Sequence, residues 1–294
     1  MKRSGSVELD LKKLNISLTE ALFIAKEHDI LLLDDIIYRE KIIIDKPYLT
    51  LIGKDNTKIV YDDFASKEYN GKKVGTTGSA TLTLTENANY TILINLTIEN
   101  DYLKKYFDGH GEQAVAFKSS ASFIKINNCK FISYQDTFYI DLGYMNLVMN
   151  SYIEGDVDFI FGSADCLFYN TKISSKSLID LGYYTAPSTL INNRYGLVFY
   201  KCIFDQLNKM ETILSRAWYP SSAKYKIVPK LALIDSRLFG NINLNIIKMR
   251  ESNPNYHELI IYDSKLNDEL IENKGTFNLD YINKIFTFHK EKIN

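Results

Sequence analysis

Asp136 and Asp158 stand 22 residues apart, and the same interval separates Gln113 from Gln135. A fold that stacks residues at that spacing would bring two carboxylates to roughly 5 Å from each other, with two neutral amides alongside. Two carboxyls that close do not both ionise readily, so one holds a proton while the other carries the charge. Such a pair can divide acid from base, or acid from nucleophile, between identical side chains. A retaining glycosidase uses carboxylates at a similar distance, but paired amide donors suit the negative charge that develops on a carbonyl oxygen during acyl transfer.

The scaffold that would stack them is a repeat. Asn95, Asn128, Asn150, Asn170, Lys201, Asp235 and Asp263 are each preceded, two positions earlier, by an apolar residue: Leu93, Ile126, Val148, Phe168, Phe199, Leu233 and Ile261. Three positions after each centre stands another: Ile98, Phe131, Ile153, Ile173, Phe204, Leu238 and Leu266. The residues directly after the centres, Leu96, Cys129, Ser151, Thr171, Cys202, Ser236 and Ser264, are mostly small. Asn and Asp suit a left-handed backbone position in a tight turn between strands. The intervals of 33, 22, 20, 31, 34 and 28 residues describe a short unit carrying insertions of variable length. Units this thin bury their apolar faces only by stacking. With short β-branched and aromatic strands, the fold class is all-β, a parallel β-helix. Asp136 and Asp158 then stack, each eight residues after a centre, and Phe117, Tyr139 and Phe161 form an aromatic column at the same shift. Strict alternation would send adjacent Gln135 and Asp136 to opposite faces, so a strand end or a bulge is expected there.

Ser17 and Glu20 make a capping-box spacing ahead of Ala21, Leu22, Ile24 and Ala25, which predicts a helix over about 17–28 closing one end of the solenoid. A second helix is expected over about 280–292, where Tyr281, Ile282, Ile285 and Phe286 recur at helical spacing. Segments 62–78 and 101–112 read as inserted loops and 205–228 as a longer excursion, the places on a rigid scaffold where clefts are built. No Pro-, Gly- or Ser-rich linker divides the chain, so residues 1–294 are expected to form one domain.

Composition removes several classes. A chain of 294 residues, 46% hydrophobic and 24% charged, can bury a sizeable core. A formal net charge of -1 leaves no electrostatic footprint for nucleic acid or an anionic membrane, and neither is expected as a partner. Cys129, Cys166 and Cys202 lack metal-ligand spacing and are expected as buried thiols; His28, His110, His257 and His289 are isolated. Asp156 and Asp165 read as turn residues. The first twenty residues contain no apolar leader core, and no stretch approaches 18 apolar residues. The chain as written therefore reads as soluble and cytoplasmic, or as secreted if a signal has been removed.

Four motifs line up on this scaffold: QAVAF at 113–117, YQDTFY at 134–139, GDVDFIFG at 155–162 and SRAW at 215–218. Together they resemble the pectin methylesterases, carbohydrate esterases built on a right-handed parallel β-helix. The likeness extends upstream through YREKIIIDKPYLTLIGK at 38–54 and GSATLTL at 78–84, and covers roughly residues 15–240. It implies demethylation of methyl-esterified galacturonate, in pectin or oligogalacturonides, through an aspartyl acyl-enzyme and with neither metal nor other cofactor. Position by position it implies Asp158 as nucleophile, Asp136 as the acid that protonates departing methanol and then the base toward water, and Gln113 and Gln135 as oxyanion donors. Arg216 matches the residue that orients the nucleophile and keeps it charged. Trp218 matches a sugar platform, and Tyr139, Val157 and Phe161 match groove-lining positions. Where the family has Gly-Arg-Pro-Trp this chain has Ser215, Arg216, Ala217 and Trp218, which predicts a looser hold on Arg216 and Trp218. The chain is expected to act as a monomer. A noncatalytic polysaccharide-binding β-helix, an esterase or thioesterase of another substrate, and a retaining glycosidase stand as alternatives.

Overall fold

The repeat centres set the shape of the coil. In the computed structural model, which describes residues 6–105, 111–178, 181–220, 226–250 and 257–291, Asn95, Asn128, Asn150, Asn170, Lys201, Asp235 and Asp263 all take left-handed φ values between 46° and 56°. That conformation turns the chain sharply from a strand of one sheet into a strand of the next, and Asn and Asp adopt it at low cost. The two apolar slots become two inward columns. Leu93, Ile126, Val148, Phe168, Phe199, Leu233 and Ile261 pair in register across the first sheet. Ile98, Phe131, Ile153, Ile173, Phe204, Leu238 and Leu266 do so across the second. All are buried except Leu266, which is partly so.

Small residues after the centres stitch successive turns together. Cys129 N–H donates to Ser151 Oγ, Cys202 N–H to Ser236 Oγ and Ser236 N–H to Ser264 Oγ, each at 3.1 Å. On the outside, Asn128 Nδ2 donates to Asn95 Oδ1 at 3.0 Å and Asn170 Nδ2 to Asn150 Oδ1 at 2.8 Å. Cys129, Cys166 and Cys202 are buried free thiols, as expected.

Among the described residues the coils form three sheets of 10, 10 and 8 strands. Pairing between coils is parallel, and antiparallel strand pairs are confined to the hairpin Glu68–Tyr69 with Lys72–Lys73 and the terminal pair Lys265–Leu266 with Glu269–Leu270. The chain is a parallel β-helix. Its eight-stranded sheet carries Phe117–Ser119, Phe138–Ile140, Ile160–Gly162, Gly182–Pro187 and Thr212–Ala217 side by side.

One register expectation is corrected there. Phe117 pairs with Phe138, not Tyr139, because Thr137 O accepts both Ala116 N–H (3.0 Å) and Phe117 N–H (3.1 Å), a bulge that absorbs one residue. Phe117 therefore packs in the core against Phe131 and Phe138, and the outward aromatic column is Tyr139 on Phe161 alone.

The first helix is Leu18–Ile24, with Ser17 and Glu20 forming the reciprocal capping box. It is shorter than the expected 17–28. Ala25 turns extended, and Lys46 Nζ takes the carbonyls of Leu22 (2.9 Å), Phe23 (3.0 Å) and Ala25 (2.6 Å), ending the helix with a cation where the dipole favours one. Leu18, Ala21 and Leu22 join the main core. The second helix, Asp280–Glu291, lies on the outer face of the first sheet, burying Ile282 and Ile285 against Leu147, Leu167, Val198 and Ala232. Segment 205–228 is not one excursion: it contains the end of strand Ile203–Gln206 and all of Thr212–Ala217. Segment 62–78 holds the small hairpin and one helical turn, Gly75–Gly78. His110 lies outside the described residues.

Candidate active site

The groove is built where the eight-stranded sheet meets the turns that precede it. Asp136 N–H donates to Val157 O at 3.1 Å, Ala114 N–H to Gln135 O at 3.1 Å, and Phe138 and Tyr139 pair with Ile160 and Phe161. The 22-residue offset thus carries through the turn, and Asp136 sits on the coil next to Asp158. Both aspartates are left-handed, with φ 68° and 51°. That conformation, just ahead of strands starting at Phe138 and Ile160, breaks strict alternation. Gln135 and Asp136 consequently line the same cavity. Gly162 closes the second motif at φ 128°, where an added Cβ would stand 1.8 Å from Ile140 O, so only glycine fits.

Asp136 and Asp158 are 7% and 5% exposed. Arg216 grips Asp158 at two points, Nε to Oδ1 at 3.0 Å and Nη2 to Oδ2. The Tyr183 ring lies 4.2 Å from the guanidinium. Burial, and then the nearby Asp158 charge, hold Asp136 well above the usual carboxylate range. Burial also raises Asp158, but Arg216 opposes it by charge and hydrogen bonding. The physics therefore separates the two: Asp158 ionises first, and Asp136 keeps its proton longer.

A cavity of about 600 Å³ opens on these groups. Gln113, Gln135, Asp136, Asp158, Arg216, Tyr139, Phe161 and Trp218 all line it. Tyr139 and Phe161 stack at 4.2 Å and 12°, and Trp218 meets Phe161 edge-on at 5.6 Å. Val157 is not among the lining residues; it sits half-buried in the turn and serves Asp136 through its carbonyl. Around Arg216 the chain runs as a strand. Arg216 and Ala217 belong to a strand paired with Ile247 and Lys248, Ser215 pairs with Thr185, and Trp218 N–H donates to Pro187 O at 3.0 Å.

A family model described as Pectinesterase matches residues 8–231. The chain belongs to the pectinesterase family. It is 32% identical to Pectinesterase 1 of Olea europaea over 190 residues, 63% of this chain and 49% of that one. It is 30% identical to Pectinesterase A of Dickeya chrysanthemi over 217 residues, 66% of this chain and 58% of that one. The chain spans about half the length of the curated relatives it matches. Among solved structures, the pectin methylesterase from Yersinia enterocolitica superposes with a TM-score of 0.76 at 25% identity, covering 91% of this chain and 95% of the other. The pectin methylesterase from Erwinia chrysanthemi, at 22% identity, shares the fold with a TM-score of 0.77 over 95% and 94% of the two chains.

The cavity includes residues that spacing did not reveal. Thr76 and Thr77 reach the cavity from the first insertion, and Ser163, Ser188, Met249 and Arg250 complete its walls. Asp165 is the turn residue expected, accepting the N–H groups of Arg194, Tyr195 and Gly196 at 3.0, 3.2 and 2.6 Å. Asp156 is more than that, because its carboxylate meets Lys104 Nζ at 2.8 Å in the interior. Insertions carry no repeat register, so nothing in the spacing pointed to Thr76, Thr77 or Lys104. Among the described residues no group of three or more His, Cys, Asp or Glu is arranged to hold a metal ion. No helix among them is long and apolar enough to cross a membrane; the cytoplasmic placement expected from the N-terminus gains no support from the relatives.

Proposed function

We propose that this chain is a carboxylic ester hydrolase that demethylates methyl-esterified galacturonate in pectin or oligogalacturonides. The observation that carries the reading is the asymmetry of the carboxyl pair: two buried aspartates on adjacent coils, only one of them clamped by an arginine, with two glutamines in the same cavity. Anionic Asp158 attacks the ester carbonyl, forming a C–O bond and a tetrahedral oxyanion. Gln113 and Gln135 donate hydrogen bonds to that oxyanion, where each such donor contributes about 3 kcal/mol. Collapse breaks the bond to methoxide, Asp136 supplies the proton, and methanol leaves behind an anhydride on Asp158. Asp136, now anionic, takes a proton from water; the hydroxide adds to the substrate carbonyl, and Asp158 departs as the original carboxylate. The cycle returns both aspartates to their starting charge.

Tyr139, Phe161 and Trp218 give the cavity an apolar wall suited to a sugar face. A formal net charge of -1 offers no attraction to nucleic acid or to an anionic membrane, and the chain is read as a monomer acting on a soluble pectic chain. The test is to follow methanol, free acid and reducing ends together on esterified oligogalacturonides of graded length. Methanol and acid in equal amounts support the ester hydrolase; new reducing ends would mean a glycosidase, and binding with no product a noncatalytic module.

A further inference from the structure

Lys104 enters the interior from the segment inserted at 101–112. Its Nζ lies 2.8 Å from Asp156 Oδ2, and the two side chains are 4% and 0% exposed. Asp156 Oδ1 accepts the Val157 N–H at 2.7 Å. The Asp156 backbone is fixed on both sides, its N–H to Tyr134 O and its carbonyl to Tyr183 N–H, each at 3.0 Å. One carboxylate thus joins an inserted loop to the turn that holds Asp158 in its left-handed conformation. The described ends of that segment are held together: Tyr102 stacks on Phe64 at 4.0 Å, and Glu112 Oε1 accepts from Tyr102 Oη (3.1 Å) and Lys105 N–H (2.7 Å).

The charges close around this point. Among the described residues, Asp136, Asp156 and Asp158 are the acids of this cluster and Arg216 and Lys104 its cations, the Tyr183 ring covers Arg216, and Asp141 and Arg250 also line the cavity. With Asp136 protonated, the anions Asp156 and Asp158 are matched by Lys104 and Arg216. Without Lys104 a third buried carboxylate would lack its counterion, a costly arrangement away from water.

We propose that Lys104 is a positioning residue of this site: through Asp156 it fixes the turn carrying Asp158 and cancels the third carboxylate, setting the pH range in which the aspartate pair works. The proposal rests on the reading of Asp158 and Asp136 as the reacting pair. Both aspartates feel the ion pair, Asp156 pushing them up and Lys104 pulling them down.

The experiment compares pH profiles of kcat/KM for the full chain and its Lys104→Met, Lys104→Arg, Asp156→Asn and Lys104→Met/Asp156→Asn variants. Removing the cation moves the acid limb to higher pH, removing the anion moves it to lower pH, and the double variant returns toward the parent. Lys104→Arg, which keeps the charge, retains the parent limb. Single variants that lower kcat with the limb unmoved, or that move it the same way, would overturn the proposal. If Lys104→Met fails to fold, the limb of Asp156→Asn decides the matter alone. ¹³C NMR titration of the Asp136 and Asp158 carboxyls reads the same opposed shifts without turnover. A chain inactive on esters would therefore sink the functional reading while still deciding this one.

Discussion

Arg216 holds Asp158 by two of its nitrogens, whereas Asp136, one coil away and equally buried, has no ion pair among the described residues. Both carboxyls share the same cavity and the same left-handed turn geometry, so the guanidinium is what makes them chemically different. Burial and the neighbouring Asp158 charge are costly to an ionised Asp136, and the charges of Arg216 and Lys104 offset that cost only in part.

That cost is measurable. Asp136 is raised well above its usual value near 3.8, so its contribution to stability is whole below the unfolded-chain value and is lost as pH rises through the folded one. Asp136→Asn carries no such loss, and Asn accepts the left-handed turn. Melting temperatures measured from pH 4 to 8 should show the variant gaining on the parent as pH rises, with turnover abolished because an amide cannot protonate methoxide. A variant less stable than the parent at every pH would make the Asp136 carboxylate a structural group.

Arg216→Lys should retain the charge but lose the fork. Loss of one charge-assisted hydrogen bond is worth about 1.5–3 kcal/mol, roughly a ten- to hundredfold fall in kcat/KM. Steady-state kinetics equal to the parent would mean that a point charge suffices to orient Asp158.

Gln113→Ala and Gln135→Ala should each lower kcat by about 10²- to 10³-fold with KM little changed, because an oxyanion exists only beyond the ground state. A raised KM at constant kcat would assign the amides to binding the sugar chain.

The solenoid was legible because its signal is redundant. Seven centres predicted from type and spacing, down to Lys201 among Asn and Asp, all proved left-handed, and both apolar columns pair in the expected register. The stacking of Asp136 and Asp158 followed from that register. Phe117 was misplaced because a single bulge at Ala116–Phe117 changes the local offset from 22 to 21, and nothing in residue type marks it. Thr76, Thr77 and Lys104 lie in insertions, where position is decided by tertiary contacts rather than by the repeat. Val157 was assigned to the groove by likeness of motif, while the turn at Asp158 uses its backbone instead.

Trp218→Ala removes a ring that meets Phe161 at 5.6 Å and Tyr139 at 6.4 Å on the cavity wall. Sugar stacking depends on apolar area and CH to π contact, so KM for oligogalacturonides should rise with a smaller change in kcat. An equal fall in kcat and kcat/KM would show that Trp218 supports the reacting groups rather than the sugar.

Methanol release from methyl-esterified oligogalacturonide, measured side by side for the parent chain and Asp158→Asn, tests the central claim most directly. Asn keeps the size of the side chain and tolerates φ 51°, so the comparison isolates the nucleophile. The account predicts methanol and free acid in equal amounts from the parent, and none from the variant while its circular dichroism remains that of the folded chain. Undiminished methanol release by Asp158→Asn would contradict it.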